Sequence, residues 1–244
     1  MDRQCYPYFS SIPRGFDVNY LENSKLTNYL NMHSISSNLA KKLGYTTEIY
    51  TNSDIFDSYF DTIHKFDYNY IFWDSYKLLP YSLRDDDYMI IDYDLFIHKN
   101  ISFDKDVDFY FDTWESWKYY DAPVKILTEL GIGDVIPEWN SNKQKVMNTG
   151  ILYFKNIDFR KLYYKRYIEF YQFCEQNLDA LKTYKPFQMF GTIAAQYLLT
   201  ILSTYYNIQH YNFSKIPREK NEYYHHMCGP DKFDVEFRIK KNIL

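Results

Sequence analysis

The chain has 244 residues, of which 46% are hydrophobic and 25% charged, enough to bury the core of one domain. Its formal net charge of −4 excludes the overall positive field that gathers nucleic acid or anionic lipid. Three cysteines, Cys5, Cys174 and Cys228, form no CxxC pair and are odd in number. The sequence therefore predicts no disulfide framework and favours a reducing compartment.

The sequence carries no signal for a membrane. No run of about 18 apolar residues occurs, and the N-terminal segment MDRQCYPYFSSIPRG lacks the uninterrupted apolar stretch of a signal peptide. We therefore expect a cytoplasmic protein without a membrane span. The abundance of Tyr, Phe, Asn, Lys and Ile is typical of an AT-rich genome, which favours a viral or low-GC microbial source and, for a virus, the host cytoplasm.

Strands and helices alternate along the chain. Residues 34–43 predict a helix that ends at Gly44, where a left-handed conformation is needed, and a β-branched strand follows over residues 46–51. The segment YMIIDYDLFI begins with a short apolar run, typical of a strand buried on both faces, and then enters a polar break. Two further strands are predicted, in VDFYFD and in NTGILYFKN.

Two helices are predicted in the second half of the chain. Residues 158–174 place a polar stripe at helical spacing and leave a wide aromatic face, whereas residues 186–206 are more apolar and predict a buried helix. Strand and helix alternate at intervals typical of an α/β layered sheet. Ligands of such sheets bind at the carboxyl ends of the strands.

Two carboxylates stand directly after the buried strand. Asp92 and Asp94 lie one residue apart, and such a pair can hold a hard divalent cation. A solvated turn is the alternative, because aspartates at this spacing are common. Three competing pairs occur in hydrophilic stretches: Asp85/Asp87, Asp104/Asp106 and Asp106/Asp108. Only Asp92/Asp94 directly ends an apolar strand, which makes it the candidate metal site.

A second candidate motif lies near the C-terminus, in YYHHMCGPDKF. His226, Gly229 and Lys232 follow one another at intervals of three residues. A histidine can complete the coordination of a divalent ion such as Mn²⁺, glycine lets backbone approach a phosphate, and lysine supplies positive charge. These parts fit a metal-bound diphosphate. Taken alone, the segment is read more simply as surface or core histidines beside an ordinary Gly-Pro turn.

In combination, and in this order, the motifs resemble the retaining glycosyltransferases of family 8 and glycogenin type. The resembling pieces are YKLLPYSLRDDDYMIIDYDLFI, MNTGILYFKN, AAQYLLT and HHMCGPDKF. The resemblance implies an α/β GT-A fold, a Rossmann-like mixed sheet that binds a nucleotide sugar, as a single domain over residues 1–244. It assigns the donor and metal part to about residues 1–112 and the acceptor side to about residues 113–244.

The resemblance also implies a binding role for each matching residue. Asp92, Asp94 and His226 would bind Mn²⁺, with Mg²⁺ as the alternative ion, and Asp92 would also contact the donor ribose. Gly229 and Lys232 would hold the diphosphate of a UDP-sugar.

Further donor contacts follow from the same resemblance. Asn148 and Gly150 stand where the family has an Asn-Ala-Gly or Asn-Ser-Gly segment beside the donor sugar. Lys77 stands where the family usually has an arginine, so a bidentate contact becomes a single charge. Tyr8, in QCYPYFSSIPRG, is a candidate for binding uracil.

The expected catalytic segment departs from the family. Where the family commonly has Asp-Gln-Asp, this chain has Ala195, Gln196 and Tyr197. Gln196 and Asn148 are therefore the candidate catalytic residues, and Gln196 would stabilise an oxocarbenium ion or orient the acceptor. The alternative is that Gln196 is a buried helix amide bonded to its neighbours.

The implied function is Mn²⁺-dependent transfer of a hexose from a UDP-sugar to a carbohydrate or protein hydroxyl, with retention and without a nucleic-acid partner. Two classes stay open beside it. A metal-assisted glycoside or phosphoester hydrolase would need a general acid near its carboxylate pair. A catalytically silent nucleotide-sugar-binding protein is favoured by the missing acids beside Gln196. Trp114, Trp117 and Trp139 form either an acceptor groove or, more simply, part of the core.

Overall fold

A computed structural model gives the fold of most of the chain. The structure describes residues 6–10, 23–51, 58–66, 71–72, 75–185, 187–213 and 223–226. Side chains are described from residue 30 onward within these ranges, with the exception of Tyr76. The predicted ligands Gly229 and Lys232 lie outside the described residues.

The described strands form a seven-stranded mixed sheet in the order β3-β2-β1-β4-β7-β6-β8. Its members are β1 (Tyr6–Ser10), β2 (Glu48–Thr51), β3 (Thr62–Lys65), β4 (Tyr88–Ile91), β6 (Phe109–Glu115), β7 (Val146–Phe154) and β8 (His210–Asn212). Only β7 runs antiparallel to its neighbours, β4 and β6. The carboxyl ends of the other six strands and the start of β7 therefore share one edge.

A second, two-stranded sheet lies beside that edge. β5 (Leu95–Ile97) follows β4 after a short turn, and it pairs antiparallel with β9 (Tyr224–His226). The paired residues are 127 to 131 positions apart in sequence, from Ile97↔Tyr224 (224 − 97 = 127) to Leu95↔His226 (226 − 95 = 131). The pairing therefore brings His226 of the C-terminal motif to the end of β4.

Helices cover both faces of the main sheet. The longest are α1 (Asn23–Lys42) and α5 (Ile157–Gln176). The shorter ones are α2 (Ser75–Leu78), α3 (Pro80–Leu83), α4 (Asp121–Glu129), α6 (Leu178–Lys182), α7 (Met189–Thr192) and α8 (Leu198–Tyr205). Residues of β4 alternate between two buried clusters: Tyr88 and Ile90 pack on the side of α5 and α8, and Met89 and Ile91 on the side of α1 and β5. This is an α/β layered arrangement, as the sequence predicted.

The predicted helix over residues 34–43 is confirmed as the second half of the longer α1. Gly44 has φ of 89° and its N–H bonds to the Lys41 carbonyl at 2.9 Å, while the Tyr45 N–H reaches the Ala40 carbonyl at 3.1 Å. These two bonds form a Schellman cap, which explains why the helix ends at a glycine. The predicted strand over residues 46–51 is observed as β2, two residues shorter.

The apolar segment over residues 186–206 does not form one uniform helix. A π-helical turn, Ile193–Tyr197, separates α7 from α8. The segment is largely buried, as predicted, and Gln196 lies inside the π turn. π turns in otherwise α-helical segments occur frequently at functional sites. The π turn is therefore consistent with a functional role for Gln196.

Candidate metal centre and active site

The turn after β4 places the two predicted carboxylates. The Asp92 N–H donates to the Gly150 carbonyl at 2.8 Å, which continues the pairing of β4 with β7 for one residue. The Leu95 N–H then donates to the Asp92 carbonyl at 3.0 Å and closes a tight turn into β5. Asp92 is partly exposed and Asp94 is buried, so both carboxylates lie at the sheet edge where the chain leaves the core.

β9 brings His226 to these carboxylates. His226 is the register partner of Leu95, the residue that follows Asp94. One ligand atom each from Asp92, Asp94 and His226 lie within 4.8 Å of one another. Ligand atoms around one divalent ion lie roughly 3 to 5 Å apart, given metal–oxygen distances of about 2.0 to 2.6 Å. We call these three residues the metal cluster.

Asp112, from β6, fixes the orientation of the His226 ring. Its Oδ2 lies 2.5 Å from His226 Nδ1, and its Oδ1 accepts a hydrogen bond from the Tyr224 hydroxyl at 2.5 Å. A carboxylate only accepts hydrogen bonds, so Nδ1 carries the hydrogen and Nε2 is left with its lone pair. Nε2 lies 3.6 Å from Asp94 Oδ1, which fits two ligands of one ion. A histidine ligand with a carboxylate on its other nitrogen is common in metal centres.

Gly150 provides the space for the histidine ring. A Cβ at this position would lie 2.5 Å from His226 Cε1, 2.8 Å from His226 Nδ1 and 2.9 Å from Asp112 Oδ2. These distances are below any ordinary carbon contact. The glycine predicted beside the donor sugar is therefore required, in this structure, to admit the imidazole against β7.

Lys77 meets the metal cluster through Asp92. Its ammonium donates to Asp92 Oδ1 at 2.6 Å, to the Thr149 carbonyl at 2.5 Å and to Thr149 Oγ1 at 3.2 Å. The lysine side chain is only 4% exposed. An ammonium group has three hydrogens, so these partners use all of them. Lys77 thus orients the Asp92 carboxylate from the buried side.

The residue types of the metal cluster are those that bind divalent cations. Asp92, Asp94 and Asp112 bring three carboxylates to this edge, and Lys77 is bonded to Asp92. Two hard oxygen ligands and one imidazole nitrogen within 4.8 Å of one another fit a divalent cation in ligand type.

His33, from α1, packs behind the metal cluster. Its ring stacks on Tyr93 with centroids 4.8 Å apart, and both residues are buried. Burial lowers the pKa of His33 to about 3, and the nearby Asp94 only partly opposes this shift. The imidazole is therefore neutral at pH 7 and adds no positive charge that would compete with a cation.

The other predicted site residues are placed as follows. Asn148 and Gln196 belong to a second polar group, with Glu115 and Tyr120, on the same sheet edge. Tyr8 lies in β1 opposite Ile90 of β4, and its side chain is not among those described. Of the competing carboxylate pairs, Asp85, Asp104 and Asp106 are exposed, as expected for solvated turns. Among the residues described, only Asp92, Asp94 and His226 form a group that could hold a metal ion.

The three tryptophans pack against the core. Trp114, Trp117 and Trp139 are partly buried against the larger hydrophobic cluster. The indole N–H of Trp117 donates to Asp121 Oδ1 at 2.7 Å, and that of Trp139 donates to Thr128 Oγ1 at 3.0 Å. Their packing favours the core interpretation over an acceptor groove.

Four residues of the site were not predicted from the sequence: Asp112, Glu115, Tyr120 and Tyr224. Asp112 ends the predicted strand VDFYFD, so the rule that selected Asp92, a carboxylate at the end of an apolar strand, also applies to it. Glu115 follows an irregular pairing of β6 with β7, and Tyr120 follows a short 3₁₀ turn. No pattern of apolar residues marks either residue.

The fold and site together define a mixed α/β protein with a candidate divalent metal centre at the carboxyl edge of its sheet. In the part of the chain that the structure describes, no helix has the length and apolar character that crossing a bilayer requires.

The chain is similar to a solved structure but to no family model. No family model matches the chain, and no curated protein matches it. Among solved structures, the crystal structure of the glycosyltransferase GlyE in Streptococcus pneumoniae TIGR4 is similar to it, with 11% sequence identity and a TM-score of 0.46. The similarity covers 93% of this chain and 56% of that chain, so this chain spans little more than half the length of that enzyme.

Proposed function

We propose that the protein is a metal-dependent glycosyltransferase that moves a hexose from a UDP-sugar to a hydroxyl acceptor with retention. The proposal includes a single-domain GT-A fold of the family 8 and glycogenin type and Mn²⁺ as the ion. The observation that carries it is the metal cluster, in which Asp92, Asp94 and His226 converge at the carboxyl edge of the sheet.

The position of the cluster supports nucleotide-sugar binding. The strand order 3-2-1-4 means that the chain reverses direction across the sheet between β1 and β4. Ligands of open α/β sheets bind at the carboxyl ends of the strands beside such a reversal. Asp92 follows β4 directly at that place, and the neighbouring β1 contains Tyr8, the proposed contact of the uracil base.

Each residue then has a defined task. A divalent ion bound to the cluster would act as a Lewis acid toward the leaving diphosphate. Asp92, Asp94 and the Nε2 atom of His226 would hold the ion, while Asp112 fixes the imidazole. Lys77 would act through Asp92 instead of contacting the donor directly, because its three hydrogens are already bonded. Gly229 and Lys232 would hold the diphosphate.

The first test is thermal unfolding of the full chain with a panel of nucleotides and nucleotide sugars, with and without Mn²⁺. A ligand that binds only the folded state raises the melting temperature. UDP or a UDP-sugar should raise it only in the presence of Mn²⁺, and Asp94→Ala and His226→Ala should abolish the shift. Asp104→Ala, which removes an exposed carboxylate elsewhere, is the matched control. No shift of the wild type with any nucleotide would overturn the proposal.

The structure favours the transferase over a silent binding protein through one observation. The sequence offers no acid beside Gln196, but Glu115 reaches this residue through Tyr120. A carboxylate is therefore present near the metal cluster, although it comes from another strand. Product analysis distinguishes the transferase from a hydrolase. Free sugar without a glycosylated acceptor, over a panel of hydroxyl acceptors, would indicate hydrolysis instead of transfer.

A further inference from the structure

A second polar group lies next to the metal cluster, and we call it the Glu115 cluster. It consists of Glu115, Tyr120, Asn148 and Gln196. Asn148 Nδ2 donates to Glu115 Oε1 at 2.5 Å, and the Tyr120 hydroxyl is hydrogen-bonded to Glu115 Oε2 and to the side-chain oxygen of Gln196. Asn148 and Tyr120 are buried, whereas Glu115 and Gln196 are partly exposed. The exposed members of the cluster are thus the carboxylate and one amide.

The two clusters share one face of β7. Asn148 and Gly150 are two residues apart in the strand, so they point to the same side. The His226 ring occupies the space beside Gly150, and Asn148 lies about 7 Å further along the strand, the length of two strand residues. A hexose is of similar size. A sugar attached to a diphosphate at the metal cluster would therefore reach the Glu115 cluster.

The pairing of β6 with β7 is irregular just before Glu115, and Glu115 faces the same side as Asn148. The register of β6 against β7 shifts between Phe111 and Thr113, and the rings of Phe111 and Trp114 pack together on the core side with centroids 4.9 Å apart. Asp112 and Glu115 are three residues apart and would face opposite sides in a regular strand. From Phe111 to Thr113, β6 advances two residues while its partners on β7 advance four, from Leu152 to Asn148. Across this irregularity Asp112 contacts His226 and Glu115 contacts Asn148, both on the site face.

The hydrogen bonds of Asn148 fix its amide. The Gly150 N–H donates to Asn148 Oδ1 at 2.7 Å, so the oxygen must face the backbone and the NH₂ group must face Glu115. Thr200 connects the π turn to the same strand, since its hydroxyl accepts from the Met147 N–H at 2.9 Å and donates to the Gln196 carbonyl at 2.8 Å. The cluster is therefore held by β6, β7 and the π turn together.

The described hydrogen-bond donors of Glu115 are neutral groups. Tyr120 has a single hydroxyl hydrogen for two neighbouring acceptors, and the carboxylate is the stronger one. Among the residues that the structure describes, the groups bonded to Glu115 are this phenol and the Asn148 amide, and no lysine or arginine pairs with it. A carboxylate held by neutral donors keeps its full attraction for positive charge that develops nearby.

We propose that Glu115 is the carboxylate that faces the donor sugar and stabilises the positive charge on its anomeric carbon. This inference rests on the proposed function. As the bond from the anomeric carbon to the diphosphate breaks, its electron pair leaves with the diphosphate. The acceptor oxygen then bonds to the same carbon, and its proton passes to a diphosphate oxygen. Glu115 gains no proton and forms no bond; it compensates charge while the reaction is under way.

Glu115→Gln tests the inference, because it removes the charge and keeps the size. UDP release from UDP-glucose, UDP-galactose and UDP-N-acetylglucosamine would be measured with Mn²⁺, in the presence of water and of simple hydroxyl acceptors. We expect kcat to fall about 10²- to 10³-fold, the loss typical of one electrostatic contact to a transition state. The affinity for UDP and Mn²⁺, measured by the melting temperature, should not change. Glu115→Asp, which keeps the charge, should retain more activity than Glu115→Gln.

Glu129→Gln is the matched control. Glu129 lies exposed on α4 and pairs with Lys125, so the same change of charge occurs away from the site, and kcat should remain that of the wild type. A Glu115→Gln variant with wild-type kcat would overturn the inference while the proposed function stands. Equal losses of UDP affinity and kcat would also overturn it, since they would indicate a structural role. A wild type that binds UDP with Mn²⁺ but consumes no donor would overturn the transferase and the inference together.

Discussion

The metal cluster and the Glu115 cluster lie on the same strand face but differ in how their charge is held. In the metal cluster, three carboxylates surround one imidazole and one ammonium, and the side chains of Asp94, Asp112 and His226 are each less than 10% exposed. In the Glu115 cluster, one partly exposed carboxylate is bonded to neutral donors. The comparison separates a group of residues that could hold a metal ion from a group in which the described partners of one carboxylate are neutral.

Among the substitutions that test this comparison, Gly150→Ala should have the largest effect on Mn²⁺ binding and stability. The new methyl carbon would lie 2.5 Å from His226 Cε1, and the ring has little freedom to move because Asp112 holds it. We expect loss of the Mn²⁺-dependent rise in melting temperature and a decrease of about 1 to 3 kcal/mol in the free energy of unfolding.

Gly133→Ala is the control for this change. Gly133 has no atom within 4 Å of an added Cβ, so the substitution should leave both the Mn²⁺ response and the stability nearly unchanged. If Gly150→Ala retained the full Mn²⁺ response, the position of His226 against β7 would be wrong.

Asp112→Asn should have a smaller effect, limited to metal affinity. The amide can still bond Tyr224 and His226, so the fold should persist, but it no longer carries the charge that makes the imidazole a strong ligand. Loss of such a partner typically lowers metal affinity about 10- to 100-fold. A titration of activity against Mn²⁺ should show a higher half-saturating concentration with nearly normal kcat at saturation.

Glu115→Gln provides the contrast for Asp112→Asn, because both residues lie on β6 and each loses one charge. Added Mn²⁺ should restore Asp112→Asn and should not restore Glu115→Gln. If Mn²⁺ rescued both variants equally, or neither, the two clusters would not have separate tasks.

The metal cluster was largely predictable from the sequence. β4 is buried on both faces, which gives the continuous apolar run YMII, and the two aspartates stand where this run ends. Its third ligand, His226, lies in a spaced motif of unusual residue types in a chain with seven glycines and six histidines. Each signal is local, so each can be read without knowing the fold.

The Glu115 cluster was not predictable in the same way. Glu115 reaches the site across an irregular pairing of β6 with β7, and such an irregularity leaves no mark in the pattern of apolar residues. Gln196 lies in a π turn that continues the apolar character of α7 and α8, so the sequence predicts an unbroken helix there. The partners of both residues come from distant parts of the chain, and only the folded structure shows them.

The most direct test of the metal cluster is a titration of the wild type with Mn²⁺, in which the electron paramagnetic resonance signal of free Mn²⁺ reports what remains unbound. We expect the wild type to remove one Mn²⁺ per chain from solution, more tightly in the presence of UDP, and His226→Ala to bind markedly less. A wild type that leaves the free Mn²⁺ signal unchanged, with and without UDP, would contradict the assignment of Asp92, Asp94 and His226 as a metal centre.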